Sequence, residues 1–164
     1  MSISYSVISI GYYAFAGCDN LTSVIIPNCV ESIADYAFYD CRDLTSVVIS
    51  NSVTNIGDSA FAGCIGLTFV ISLIEEPFTI NKRTFYRITN DATLYIPKNT
   101  KKTYETAGWA EYFNRIVEFD AVGINEIKPD RAAVSNAIYS LNGACVEHPA
   151  KGIYVKKGKK LLFR

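Results

Sequence analysis

Histidine is almost absent from this chain: His148, beside Pro149, is the only one in 164 residues. With a single imidazole in a loop-like context, no arrangement reads as a nucleophile and its base. The chain also has no phosphate-cradling glycine loop, no metal-binding helix motif and no dinucleotide fingerprint. Glu75 and Glu76 are adjacent and would point to opposite faces of an extended segment, which makes them a poor acid and base pair. No catalysis and no cofactor are therefore expected. No apolar run approaches the ~18 residues that a membrane helix needs, and the N-terminus lacks the basic start and apolar stretch of a secretion signal. Net charge is missing as well: sixteen basic and sixteen acidic side chains cancel, and nothing argues for nucleic acid. The five cysteines form no even set and show no paired spacing, so neither a disulfide framework nor a zinc site is expected.

Hydrophobic residues make up 49% of the chain, enough for a buried core. The zero net charge hides an asymmetry, since residues 1–120 sum to −5 and residues 121–164 to +5. A shift of 23 residues superimposes the chain on itself. It aligns Val7, Val30 and Val53, then Ile10, Ile33 and Ile56, then Ala14, Ala37 and Ala60. The same shift aligns Phe15, Phe38 and Phe61, then Cys18, Cys41 and Cys64, then Leu21, Leu44 and Leu67. A period of this length marks a solenoid.

Within one unit, Leu21-x-x-Val24-x-Ile26 predicts a short strand with alternate side chains inward, followed by a turn at Pro27 and Asn28. Val30 and Ile33 bring the chain back along a second side. Ala37, Phe38 and Cys41 fall at the spacing of one helical turn, with Asp35 as its cap. One coil cannot cover its own apolar interior, so coils must stack with strands ~4.8 Å apart and like residue above like. The repeated cysteines are then expected to be buried, reduced corner residues. Asp35 and Asp58 share a column. Capping accounts for both, whereas calcium needs six or more oxygens.

The unit "LTSVIIPNCVESIADYAFYDC", from Leu21 to Cys41, resembles the leucine-rich repeats of the BspA-like family. The resemblance implies a leucine-rich-repeat solenoid of 23-residue coils, mainly β with short helical turns, over residues 1–119. It also implies a bacterial protein that is secreted or on the cell surface and that acts in adhesion by binding protein or glycan on a host or neighbouring cell. The other expectation is a structural spacer that carries a missing N-terminal domain.

Met1 falls in the column of Val24 and Val47, so the chain starts within a strand. The open edge is expected to continue into further repeats, or to be covered by a partner that could be a second copy. At the other end the phase slips, because Phe85 comes one residue late and the cysteine is missing. Residues 73–119 are expected to form a helical cap. A helix would be capped by Asn99 or Thr100 and stopped by Gly108, and Tyr104, Trp109 and Phe113 would form a lid over the core. The family often closes with a segment similar to "LYIPKNTKKTYETAGWAEYFNRIV".

Residues 120–135 mix glycine, proline and charge and read as a linker. Asn142-Gly143 and Lys157-Gly158 predict two hairpins in a small antiparallel β module over 136–164. The pattern "IYSLNG…V…GIYV…GKK" resembles the C-terminal sorting domain of the type IX secretion route, and this resemblance implies export. The outward strand positions of the solenoid are the expected partner-binding face: Ser23, Ser46 and Phe69 in one column, Ile25, Val48 and Ile71 in the next.

Overall fold

Two short strands and two corners make each of the first three coils, because β-branched residues alternate along the straight segments and turn-forming residues fill the bends. The computed structural model describes Ile3, residues 6–119 and, for the backbone alone, four strands between 138 and 163. In chain order the solenoid strands are β1 (Ser9–Ile10), β2 (Ser23–Ile25), β3 (Ser32–Ile33), β4 (Ser46–Ile49), β5 (Asn55–Ile56), β6 (Phe69–Ser72), β7 (Thr93–Pro97) and β8 (Arg115–Phe119). Helix α1 (Lys101–Thr106) and a 3-10 turn (Trp109–Tyr112) lie between the last two.

The strands stack into two parallel sheets, ordered β1-β3-β5 and β2-β4-β6-β7-β8. The pairing follows the repeat: Ser23 lies beside Ser46 and Ser46 beside Phe69, while Ile33 lies beside Ile56. From β6 to β7 the register becomes 24 residues, with Phe69 beside Thr93, which is the phase slip visible in the sequence. The solenoid class and its 23-residue coils are thus as expected.

Between the sheets runs one apolar core, in which Val24, Val47, Val70 and Leu94 occupy one column and Leu44 and Leu67 another, all buried. Burying each such side chain stabilises the fold by about 1.5–3 kcal/mol. Phenylalanines form its spine. The rings of Phe15, Phe38, Phe61 and Phe85 stand 5.2, 5.1 and 5.3 Å apart, with planes 13°, 2° and 8° from parallel. Contacting ring planes stand only about 3.5 Å apart, so centroids at this spacing mean slipped stacking, the favoured arrangement. Phe85 ends the spine against Trp109, Tyr112 and Phe113, at 5.9, 6.1 and 5.2 Å.

The corner after β3 differs from the expected helical turn. In a helix every amide would bond four residues back, but here the amides alternate. Those of Tyr36, Phe38 and Asp40 donate to Asp58, Ala60 and Ala62 of the next coil at 3.0, 2.8 and 2.8 Å. Those of Ala37, Tyr39 and Cys41 donate to the carbonyl three residues back. The alternation requires left-handed backbone at Tyr36 (φ 58°) and Asp40 (φ 56°), as it does at Ser59 and Gly63 one coil on. Asp35 caps no helix. Its Oδ1 accepts the Asp58 amide at 2.7 Å, so the carboxylate joins one coil to the next.

The cysteines serve the same stacking. Cys41 Sγ donates to the Phe15 carbonyl at 3.0 Å and Cys64 Sγ to that of Phe38 at 3.2 Å, each reaching the preceding coil. The Cys41 sulfur and burial together push the Cys64 thiol up. Cys18 is exposed rather than buried, since among the described residues no coil stacks on its outer side.

At the far end, Thr100 is the residue before α1, yet its side chain does not cap it and instead donates to the Pro97 carbonyl at 2.6 Å. Glu118 Oε1, from β8, accepts the Lys101 amide at 3.1 Å and takes the capping role. Gly108, at φ 82°, ends the helical segment in the left-handed conformation that glycine adopts without cost. Trp109 and Tyr104 are fully buried. The Trp109 indole N–H donates to the Phe78 carbonyl at 2.9 Å, and the Tyr104 hydroxyl sits between Ser72 Oγ (2.6 Å) and the Ile74 carbonyl (2.8 Å).

In the tail, β9 (Ile138–Ser140), β10 (Cys145–Val146), β11 (Gly152–Lys156) and β12 (Lys159–Phe163) form an antiparallel sheet ordered β10-β9-β11-β12. Lys156 pairs with Lys159 across the expected second turn. The linker 120–135, the Asn142-Gly143 turn and His148 lie outside the described residues.

Two outcomes follow from stacking this close. A Cβ at Gly57 would overlap the Asp35 carboxylate and backbone, whereas one at Gly11, in the same column, meets nothing within 4 Å. Gly57→Ala is expected to cost about 1–3 kcal/mol in urea unfolding, and Gly11→Ala less than about 0.5 kcal/mol; equal effects would contradict the packing. In native protein, a thiol reagent mapped by peptide mass is expected to modify Cys18 and to spare Cys41 and Cys64 until denaturant is added. Modification of all three at one rate would refute the ladder.

Candidate interaction surface

Stacking leaves side chains not committed to the core on several outer surfaces, among them the outer face of the five-stranded sheet and the corner that precedes it. On the sheet, Ser23, Ile25 and Phe69 are half-buried, while Ser46, Val48 (1% exposed) and Ile71 (0%) are buried. Val48 and Ile71 belong to a second apolar cluster with Leu73 and Phe119, against which Ile25, Phe69 and Tyr95 pack. The physical reason lies in β7 and β8. They widen the sheet beyond the repeat strands, placing Tyr95 beside Ile71 and Phe119 at the sheet's end. Phe69 meets Tyr95 edge-on at 6.4 Å and 88°. Half of the expected face is therefore interior, and its accessible remainder is Ser23, Ile25 and Phe69.

The corner carries what the sequence reading missed. Tyr13 and Tyr36 share a column and stack at 4.8 Å with planes 4° apart. Tyr12 stands edge-on to both, at 4.8 and 5.8 Å, and Tyr39 edge-on to Tyr36 at 5.6 Å. Tyr12, Tyr13 and Tyr39 are 60%, 49% and 41% exposed. Desolvation within the group, then the neighbouring phenols, push Tyr13 above the ordinary tyrosine range. A signal was available, because Tyr13 and Tyr36 are one repeat apart and Tyr39 follows three positions later. Repeat matching discards such residues, since Ser59 breaks the column.

Charge around the corner is mostly carboxylate. Asp58 pairs with Arg83 at 2.6 Å, and Asp40 pairs with Arg42 at 2.9 Å. The Arg42 hydrogen bond holds the Asp40 carboxyl below its usual range. Asp35 is tied to the Asp58 amide, so neither Asp35 nor Asp58 is arranged as half of a calcium cage. Among the described residues no group of three or more histidine, cysteine or acidic side chains is placed to hold a metal ion, and no helix is long and apolar enough to cross a membrane. A recess of about 440 Å³ is lined by Asn51, Val53, Thr54, Glu75, Glu76 and Phe78.

The corner brings rings and carboxylates together at the surface. Comparison with known proteins agrees with the repeat itself. The family model described as the BspA type leucine-rich repeat region matches six copies over residues 1–109. No curated protein matches the chain. The matched span holds the stacked columns of phenylalanine, cysteine and leucine and ends at Trp109, the residue that closes the core: the chain belongs to the BspA-type leucine-rich repeat family.

Proposed function

We propose that this chain is a non-catalytic, secreted or surface-held bacterial repeat protein that binds protein or glycan and thereby mediates adhesion. Membership of the BspA-type family supports the surface setting. The observation that carries the binding role is the exposed tyrosine group on the first two corners, because large aromatic side chains left together in water mark interaction sites. The half-buried rim of Ser23, Ile25 and Phe69 is a secondary surface. The tail, on its resemblance to a type IX sorting domain, serves export.

The immobilised chain, presented with extracellular-matrix proteins and a glycan array, is expected to show saturable capture of at least one member. No capture on either panel would overturn the binding role and favour the spacer. Phe69→Ala is expected to lower the urea midpoint, because the ring packs on Tyr95 and the second apolar cluster. The loss should be about 1–3 kcal/mol, below the cost of removing a fully buried phenylalanine; an unchanged midpoint would place Phe69 wholly at the surface.

A further inference from the structure

We infer that the tyrosine corner is a docking site for a cationic polypeptide segment, one rich in arginine or lysine, an assignment that rests on the binding role proposed above. Three observations carry it. The first is that the fold does not need these rings. The column of Tyr12 holds Asp35 and Asp58 in the next coils, that of Tyr13 and Tyr36 holds Ser59, and that of Tyr39 holds Ala16 and Ala62 before a tyrosine returns at Tyr86 in the fourth coil. The third coil makes the same corner with Asp58, Ser59 and Ala62, keeping the left-handed residue and the inter-coil bonds of Phe61 and Gly63 to Thr84 and Tyr86. Tyrosine at four positions of the first two corners is thus surplus to folding.

The second observation is geometric. Rings set edge-on and stacked at 4.8–5.8 Å form one continuous group. Its outer members keep 41–60% of their surface in water. Such rings present electron-rich faces on which a guanidinium or ammonium group rests favourably, each contact being worth about 0.5–1 kcal/mol at an exposed site.

The third is charge. Residues 6–66 carry six carboxylates (Asp19, Glu31, Asp35, Asp40, Asp43 and Asp58) against Arg42, and Arg83 of the next coil pairs with Asp58, which leaves an excess of four negative charges. Arg42 is already bound to Asp40. The repeat register sets Asp35 directly above Tyr12, and the Asp35 carbonyl accepts the Tyr13 amide at 3.4 Å. An acidic field around aromatic faces attracts a cation and repels a phosphate or sulfated sugar. A neutral glycan could stack on the rings but would gain nothing from the carboxylates, so the observations favour the cationic polypeptide.

The test uses the full chain and fluorescein-labelled octa-arginine, read by anisotropy, with a labelled neutral chitotetraose as the competing class. Expected is saturable octa-arginine binding that weakens steeply between about 20 and 300 mM salt as the screening length shortens. Tyr12→Ser combined with Tyr39→Ser should weaken it about tenfold, the sum of two ring contacts, with melting unchanged. Tyr12→Phe with Tyr39→Phe should retain it, because the ring faces remain. Should the serine pair lower the melting temperature, Tyr12→Ser alone is measured and is expected to weaken binding about threefold. Octa-arginine binding indifferent to loss of the rings would overturn the assignment, as would tighter binding of chitotetraose. Either result, obtained while the matrix and glycan panels still show capture, would sink this assignment and leave the broader binding role standing.

Discussion

Every coil of this protein must present its backbone to the next coil in the same place, and that constraint governs the rest of the structure. A β-strand of three or four residues cannot hold itself. Here the parallel ladders and the alternating corner amides bond one coil to its neighbour, so each element is stabilised only by another of identical shape. Identity of shape forces identity of length, which is why the register holds at 23 residues until the cap begins to form. Like side chains then lie over like, and the phenylalanine spine and cysteine ladder follow from backbone geometry. The positive φ at Tyr36, Asp40 and Ser59 belongs to the same bargain: left-handed backbone costs about 1–2 kcal/mol per residue, offset by amides delivered to the next coil.

Much of this was legible in the sequence because the interactions that set it are periodic. Matching columns at Val24, Phe38, Cys41 and Leu44 locate the core, and the late Phe85 locates the change of register. The corner was misread because Ala37, Phe38 and Cys41 have helical spacing, and spacing alone cannot tell an amide that bonds within its coil from one that bonds to the next. Asp35 shows the difference: a cap and an inter-coil acceptor look alike in sequence. The outer sheet face escaped for another reason. Its burial depends on Tyr95 and Phe119, which lie beyond the repeats and carry no period that links them to Val48 and Ile71.

The residues that the period leaves unspecified are the ones free to differ from coil to coil. Where the stack demands a side chain, as at Phe61 or Leu67, each coil repeats it; where it demands none, the coils diverge. The corner columns diverge most informatively, running from tyrosine to aspartate, serine and alanine while the backbone stays the same. A chain optimised only for solubility would place small or polar groups at those positions, as the third coil does with Asp58, Ser59 and Ala62. The first two coils instead hold rings largely in water, where they lose the stabilisation that burial would bring.

Charge is distributed along the solenoid axis with the same bias. Residues 6–66 sum to −5, whereas residues 67–119 carry seven basic and six acidic side chains. The basic residues of the second span already meet carboxylate in one place, where Arg83 reaches back one coil to Asp58. Acidic field and the Tyr12, Tyr13, Tyr36 and Tyr39 group therefore coincide on the early coils, while Tyr86 is exposed on the corner nearer the end that Trp109 and Phe113 close. Because coils interact only with their neighbours, the two ends can differ without conflict: Trp109 and Phe113 are buried against the core at one end, and the early corners leave rings exposed at the other.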